Sequence, residues 1–254
     1  MTAPEPDAVL QSRRWWRRDR PFTHFVASDV FTPAFSAELE RDFRALLTGG
    51  PDKSFLRAKS GYDARIYPFS PAIDGPLSFF ISRGWHDLLA SLADVEVTDD
   101  ISAALHHHEP QSRDGTAHND LNPGWFAAPG ARTDGINCAS SERCDYKHGK
   151  PHAPGAEPVE RIRAIAMIYF LNNAAWRKGN GGECALYSHR GAAPVETVAP
   201  VSNSLLMFEC TPHSYHRFLS NRAGTRDSVV LWLHRRREDA VERWGERSIV
   251  AWSR

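Results

Sequence analysis

His118, Asn119 and Asp120 place an imidazole and a carboxylate two residues apart, and His216 and Arg226 follow far downstream. Residues spaced by two on a β-strand share a face, because successive side chains alternate. A second imidazole from a later strand would complete a two-histidine, one-carboxylate set. Such a set holds Fe(II) on one side and leaves the other open to substrate and O₂. An arginine ten residues beyond that histidine adds a planar fork able to grip a carboxylate through two hydrogen bonds. Convergence of these four residues would make an iron-dependent oxygenase. With 12 His in 254 residues, an H-x-D triplet also arises at chance level. Taken in isolation, the same residues read rather as a polar loop pair before the turn-forming run Asn122-Pro123-Gly124.

The elements that must position them change character along the chain. Residues 1–12 read as disordered. Residues 22–30 form a short strand-like run with Phe25, Val26 and Val30. Residues 33–47 carry Phe35, Leu39, Phe43, Leu46 and Leu47 at three- and four-residue spacings, the pattern of an amphipathic helix ended by Gly49-Gly50-Pro51. A second helix is predicted over 76–92. From residue 100 the pattern becomes short strands between turns: 101–108, 117–120, the nearly continuous apolar run 161–171, 183–187, 195–198, 204–208, 215–219 and 228–233. A run apolar throughout suits a strand buried on both faces. Many short strands at even spacing predict a sandwich or jelly roll, closed by a helix over 237–247. Residues 121–160 are rich in Pro, Gly, Asn and His and lack periodicity, so they read as an insert lying as a lid over the candidate ligands.

Length and composition fit one domain spanning 1–254, with 1–100 as helical support, 100–236 as the β-core and 237–254 as a C-terminal helix. The formal net charge of +0 gives no global field to draw nucleic acid or an anionic membrane. No apolar run reaches membrane-spanning length, residues 1–20 lack the apolar core of a secretory signal, and four Cys do not read as a disulfide framework. A cytoplasmic setting is the expectation. The run Arg13-Arg14-Trp15-Trp16-Arg17-Arg18 interleaves charge and aromatics, and reads as an entry segment packing its Trp rings rather than as a nucleic-acid arm.

Taken in order, several motifs resemble the prolyl 4-hydroxylase-like branch of the 2-oxoglutarate/Fe(II) dioxygenases. Ile168-Tyr169-Phe170-Leu171-Asn172 with Trp176 is similar to the family's I-Y-Y-L-N…W strand. Gly181-Gly182-Glu183-Cys184 with Leu186-Tyr187 is similar to its glycine hairpin, and Ser214-Tyr215-His216-Arg217-Phe218 to its distal histidine segment. Arg226-Asp227-Ser228 with Trp232 is similar to its R-x-S…W strand.

The resemblance covers roughly 100–235. It implies a mainly β fold with flanking α-helices around a double-stranded β-helix core of the jelly-roll, cupin-like kind. It implies His118, Asp120 and His216 as iron ligands, and Arg226 with Ser228 as the anchor for the distal carboxylate of 2-oxoglutarate. Fe(II), 2-oxoglutarate as co-substrate, O₂ and ascorbate as reductant come with it. Because Asp120 supplies the carboxylate, the site resembles the hydroxylases rather than the halogenases, which lack that ligand. Two positions depart from the pattern. His108 stands where relatives often place a tyrosine that contacts 2-oxoglutarate, so it becomes a candidate donor, with an ordinary strand histidine as the other reading. Phe170 replaces a second tyrosine.

Alternatives remain at this stage. His213 rivals His216, with Arg222 then near the family spacing, although only Arg226 carries the R-x-S…W continuation. Cys138, Cys144, His148 and His152 are zinc-compatible residue types without a C-x₂-C knuckle. Arg132 and Asp134 are candidates to face a substrate, while His24, His189 and His234 read as structural. The function expected is hydroxylation of an unactivated C–H in a small molecule such as an amino acid or natural-product intermediate, by a chain free of nucleic acid and membrane, with a homodimer as one possible assembly. The alternatives are a peptidyl-prolyl hydroxylase, a non-catalytic jelly-roll binding module, and a zinc-stabilised nucleic-acid binder.

Overall fold

The apolar run that begins at Val159 forms one strand to Leu171, and its two faces go to two different cores. Ile165, Met167, Tyr169 and Leu171 face a core shared with the helices, while Ala166, Ile168 and Phe170 face a second core between two sheets. Burial on both sides is why the sequence shows no polar alternation there.

The computed structural model describes residues 3–12, 14–49, 55–59, 62–127, 133–173 and 175–252. In chain order the elements are α1 (Pro6–Val9), β1 (Trp16–Arg18), β2 (His24–Ser28), α2 (Pro33–Thr48), β3 (Leu56–Lys59), β4 (Tyr62–Pro68), α3 (Arg83–Ala93), β5 (Asp100–His108), β6 (Pro123–Phe126) and β7 (Asn137–Cys138). There follow β8 (Val159–Leu171), β9 (Cys184–Tyr187), β10 (Glu196–Val198), β11 (Ser204–Glu209), β12 (Tyr215–Phe218), β13 (Arg226–Arg236) and α4 (Arg237–Trp244). The large sheet runs β1-β2-β11-β8-β13-β5-β4-β3, with β6 added to β8 and β7 to β5; the small sheet is β10-β9-β12. The fold is mainly β, a double-stranded β-helix flanked by helices. No helix among the described residues is long and apolar enough to cross a membrane.

Several elements differ from the sequence reading. The single helix expected over 76–92 is a 3-10 segment (Pro76–Ile81) followed by α3, broken where Ser82 turns extended and its hydroxyl accepts from Trp85 N. Besides the strand expected over 22–30, the described residues of the N-terminal hundred contribute β1, β3 and β4. Residues 6–9 of the segment read as disordered form α1, and Leu10 bridges Phe31. The insert also holds structure, since β6 pairs antiparallel with β8 and β7 parallel with β5. Arg13 and Arg132 lie outside the described residues.

The helix-side core centres on Phe31, fully buried, with Phe35, Phe79, Phe80, Trp85 and Tyr169 at centroid distances of 5.1–6.0 Å. Phe31→Ala is therefore expected to cost about 3–5 kcal/mol of stability, as truncating a buried ring leaves both a transfer loss and a cavity. Urea unfolding measures it, and a loss of under about 1 kcal/mol would contradict this core.

Candidate metal centre

His118 and His216 face each other through a two-way backbone bridge: His118 N donates to His216 O at 3.0 Å and His216 N to His118 O at 2.8 Å. His216 lies on β12 of the small sheet, and its ring stands 4.3 Å from that of His118 and 4.7 Å from that of Phe208. Each imidazole has Nδ1 against a backbone carbonyl, Thr116 O at 2.7 Å for His118 and Ser214 O at 3.1 Å for His216. A carbonyl can only accept, so Nδ1 carries the proton and Nε2 keeps a free lone pair. Both Nε2 atoms face Asp120, at 3.5 Å from Oδ1 for His118 and 3.6 Å from Oδ2 for His216. The three ligand atoms lie within 4.8 Å of one another.

Asp120 reaches this position by a route that strand alternation does not describe. The triplet is not a regular strand: His118 makes only the isolated bridge, and Asp120 adopts a left-handed conformation with φ of 58°. Asn119 arranges the turn. Its Oδ1 accepts from Leu121 N at 3.1 Å, its Nδ2 donates to Pro212 O at 3.3 Å, and its carbonyl accepts from Ser214 Oγ at 3.1 Å. The triplet is thus tied to the 211–214 turn that leads into His216.

The electrostatics suit a cation held by this set. Burial alone would push the Asp120 acid up, but Arg163, His118 and His216 outweigh it and hold the carboxyl well below its usual range. Burial, reinforced by His118, brings His216 down to about 4. An ionised carboxylate and a neutral imidazole are the states that bind a divalent metal. His118 is the accessible member of the set, its side chain 51% exposed, against 6% for Asp120 and His216. Such a donor set, with Nδ1 atoms fixed from behind, fits Fe(II).

Arg226 and Ser228 share the inner face of β13, and Arg226 Nη1 donates to Ser228 Oγ at 3.0 Å. The guanidinium lies over Phe170 at 4.9 Å and Phe218 at 5.3 Å, and both Arg226 and Ser228 are buried. The β5–β13 register sets His108 opposite Arg226 and His106 opposite Ser228, on the same face. His108 stacks on Phe218 at 4.1 Å, and burial with the Arg226 charge pushes it well below its ordinary pKa. Burial and Arg226 likewise bring His106 down to about 3. His106 is absent from the sequence reading; its signal was the two-residue step from His108.

The rivals are placed elsewhere. His213 is exposed on the 211–214 turn and Arg222 is exposed as well, while the metal-competent group found among the described residues is His118, Asp120 and His216. Cys138, Cys144, His148 and His152 do not converge: Cys144 Sγ contacts Trp125 O at 3.4 Å, His148 Nδ1 sits 3.3 Å from Asp145 and His152 Nδ1 contacts Ser141 O at 2.7 Å. Asp134 faces α3, where it accepts from Arg83 N and Ile136 N. Tyr146 seats against His234 and Arg163, on the Arg163 side of Asp120.

Two groups bound to the Asp120 carboxylate complete the site. Arg163 Nη1 donates to Oδ1 at 2.7 Å and Trp232 Nε1 to Oδ2 at 2.8 Å. Arg163 went unassigned in the sequence, although a lone arginine inside an apolar strand was the visible signal.

Residues 141–234 match the family model of the 2OG-Fe(II) oxygenase superfamily. That segment contains His216, Arg226 and Ser228, with His118 and Asp120 upstream of it. No curated protein matches the chain. In fold it is similar to a Pseudomonas putida prolyl-4-hydroxylase (TM-score 0.53, 15% identity, covering 87% of this chain and 92% of that one). It is also similar to a Trichoplax adhaerens prolyl hydroxylase in complex with a hypoxia inducible factor oxygen degradation domain peptide (TM-score 0.54, 14% identity, 86% of each chain).

Proposed function

We propose that this chain is a 2OG-Fe(II) oxygenase, a reading supported by the match of that superfamily's model to residues 141–234, and that it hydroxylates small molecules. In this reading Fe(II) is held by His118, Asp120 and His216, and 2-oxoglutarate by Arg226 and Ser228. The observation that carries it is the convergence of two carbonyl-oriented imidazoles and an ionised carboxylate in a barrel that also encloses a buried arginine–serine pair. Bound Fe(II) supplies the chemistry by which 2-oxoglutarate and O₂ become succinate and CO₂ while one oxygen atom enters a substrate C–H.

The chain's own groups do the positioning. Arg226 takes the distal carboxylate in a fork geometry, with the Ser228 hydroxyl beside it. Phe170 and Phe218 flank the guanidinium and exclude water, which strengthens that ion pair. With Fe(II) bound, His118, Asp120 and His216 would hold it from one side and leave it open to the 2-oxo acid and O₂. Substrate approaches at the exposed edge of His118, because the Arg163 side of Asp120 is filled by Tyr146, Trp232 and Trp252. The second reading, a peptidyl-proline substrate, is favoured by the likeness to the Trichoplax enzyme, whose structure holds a peptide.

Fe(II)-loaded protein given 2-oxoglutarate and O₂ is expected to release succinate and to add one oxygen to a free amino acid or comparable small molecule. Mass spectrometry of parallel reactions with amino acids and proline-containing peptides reads the product. Oxidation of the peptides alone would overturn the small-molecule reading. Absence of succinate from iron-loaded protein would favour a non-catalytic binding module.

A further inference from the structure

The groups behind Asp120 form a directional chain of hydrogen bonds that ends on its carboxylate. His234 is buried, and its Nδ1 lies 3.0 Å from Asp100 O. Since a carbonyl only accepts, Nδ1 holds the proton and Nε2 is left as an acceptor. Tyr146 Oη lies 2.7 Å from that Nε2, so the hydroxyl donates to it and turns its lone pairs toward Arg163. Arg163 Nε donates to Tyr146 Oη at 3.2 Å, and its Nη1 donates to Asp120 Oδ1 at 2.7 Å. Each link fixes the direction of the next.

The guanidinium has little room to move. It packs face-on over Trp232 at 3.6 Å, with Trp252 at 4.9 Å and Tyr146 at 5.8 Å. Trp232 also donates to the other carboxylate oxygen, so both oxygens of Asp120 are oriented from one side. Tyr146 is seated closely. A methyl on Gly124 would come within 2.6 Å of its ring, and one on Gly149, itself at φ +67°, within 2.5 Å of the neighbouring Trp125. The insert is anchored a second time where Asn137 Nδ2 donates to Asp100 Oδ1 at 2.7 Å.

We propose that Tyr146, supplied by the insert, is a positioning residue that acts through Arg163 to fix the orientation of the Asp120 carboxylate toward the metal. The insert is then a strut for the metal centre. This inference rests on the reading of His118, Asp120 and His216 as metal ligands. Outer groups that orient a ligand typically contribute 10–100-fold to metal affinity, and Tyr146 is such a group at one remove.

The test uses the full chain freed of metal and titrated calorimetrically with Mn(II), a redox-stable probe. Tyr146→Phe removes one oxygen and no packing volume; Arg163→Lys keeps the charge but loses the fork that reaches Tyr146 and Asp120 together. Both are expected to weaken Mn(II) binding by about 10–100-fold, to alter the Mn(II) paramagnetic resonance line shape, and to leave the metal-free protein folded with a lowered melting temperature, since His234 Nε2 or Asp120 Oδ1 loses a buried partner. Parent-like affinity and line shape in Tyr146→Phe would overturn the inference. Parent-like affinity in Arg163→Lys would also overturn it, by showing that charge alone suffices. Should the Phe variant not fold, Gly124→Ala decides, because its methyl would come within 2.6 Å of the Tyr146 ring and displace it without touching Arg163 or Asp120, and parent-like affinity there would overturn the inference. Asp120→Ala separates the two levels: parent-like Mn(II) binding there would sink the metal-site reading itself. Loss there beside parent-like Tyr146→Phe would sink only the role of Tyr146.

Discussion

Replacing His216 with alanine is expected to abolish iron retention and 2-oxoglutarate turnover, while His213→Ala leaves both within about twofold of the parent, as surface substitutions do. The two residues sit three apart, yet their surroundings differ in every respect that bears on metal binding. His216 is buried, its Nδ1 is fixed on Ser214 O, and its Nε2 lies 3.6 Å from the Asp120 carboxylate. Burial keeps it neutral to about pH 4, so its lone pair is available across the physiological range. His213 is exposed at the turn. Deleting one of three protein ligands removes a bond to the metal itself, so the loss should exceed the roughly 10–100-fold of an outer partner. Iron per chain after desalting measures this, with the melting temperature of metal-free protein separating lost affinity from lost fold. One equivalent of iron retained by His216→Ala would overturn the assignment, and loss of iron in His213→Ala would transfer it.

The partners of this centre were legible in the sequence while the backbone that joins them was not. His118 and Asp120 do face one point, but through a left-handed Asp120 held by the Asn119 side chain rather than through strand alternation. Nothing in residue spacing reveals a turn that depends on where one amide donates. β8 was readable because burial on both faces leaves an unbroken apolar run. The β3–β4 hairpin was not, since a strand near a sheet edge can carry an exposed charge such as Arg65 without cost. The helix expected over 76–92 broke at Ser82 because a hydroxyl that caps the next turn competes with continuation of the last. Arg163 announced itself as a charge in an apolar strand, but a buried charge needs named partners. One of those partners, Tyr146, comes from a segment with no periodicity to read.

Arg226→Ala should raise the 2-oxoglutarate concentration for half-maximal turnover by at least about 30-fold, the equivalent of roughly 2–5 kcal/mol for losing one side of a buried charge pair. The guanidinium is buried between Phe170 and Phe218, where water cannot substitute for it and salt screens it little. Arg226→Lys is expected to lose most of the same affinity despite keeping the charge, because an ammonium cannot present two parallel donors while also bonding Ser228 Oγ. Iron content should not change, since Arg226 is not among the metal-competent residues. A 2-oxo acid without the distal carboxylate sharpens the comparison. The parent should turn it over poorly, and Arg226→Ala should treat it almost as the parent does, because the contact that distinguishes the two proteins is then absent from the ligand. A parent-like half-saturation for 2-oxoglutarate in Arg226→Ala would remove the arginine as anchor. A large difference between the proteins on the truncated acid would mean that Arg226 acts on the 2-oxo end or on the fold instead.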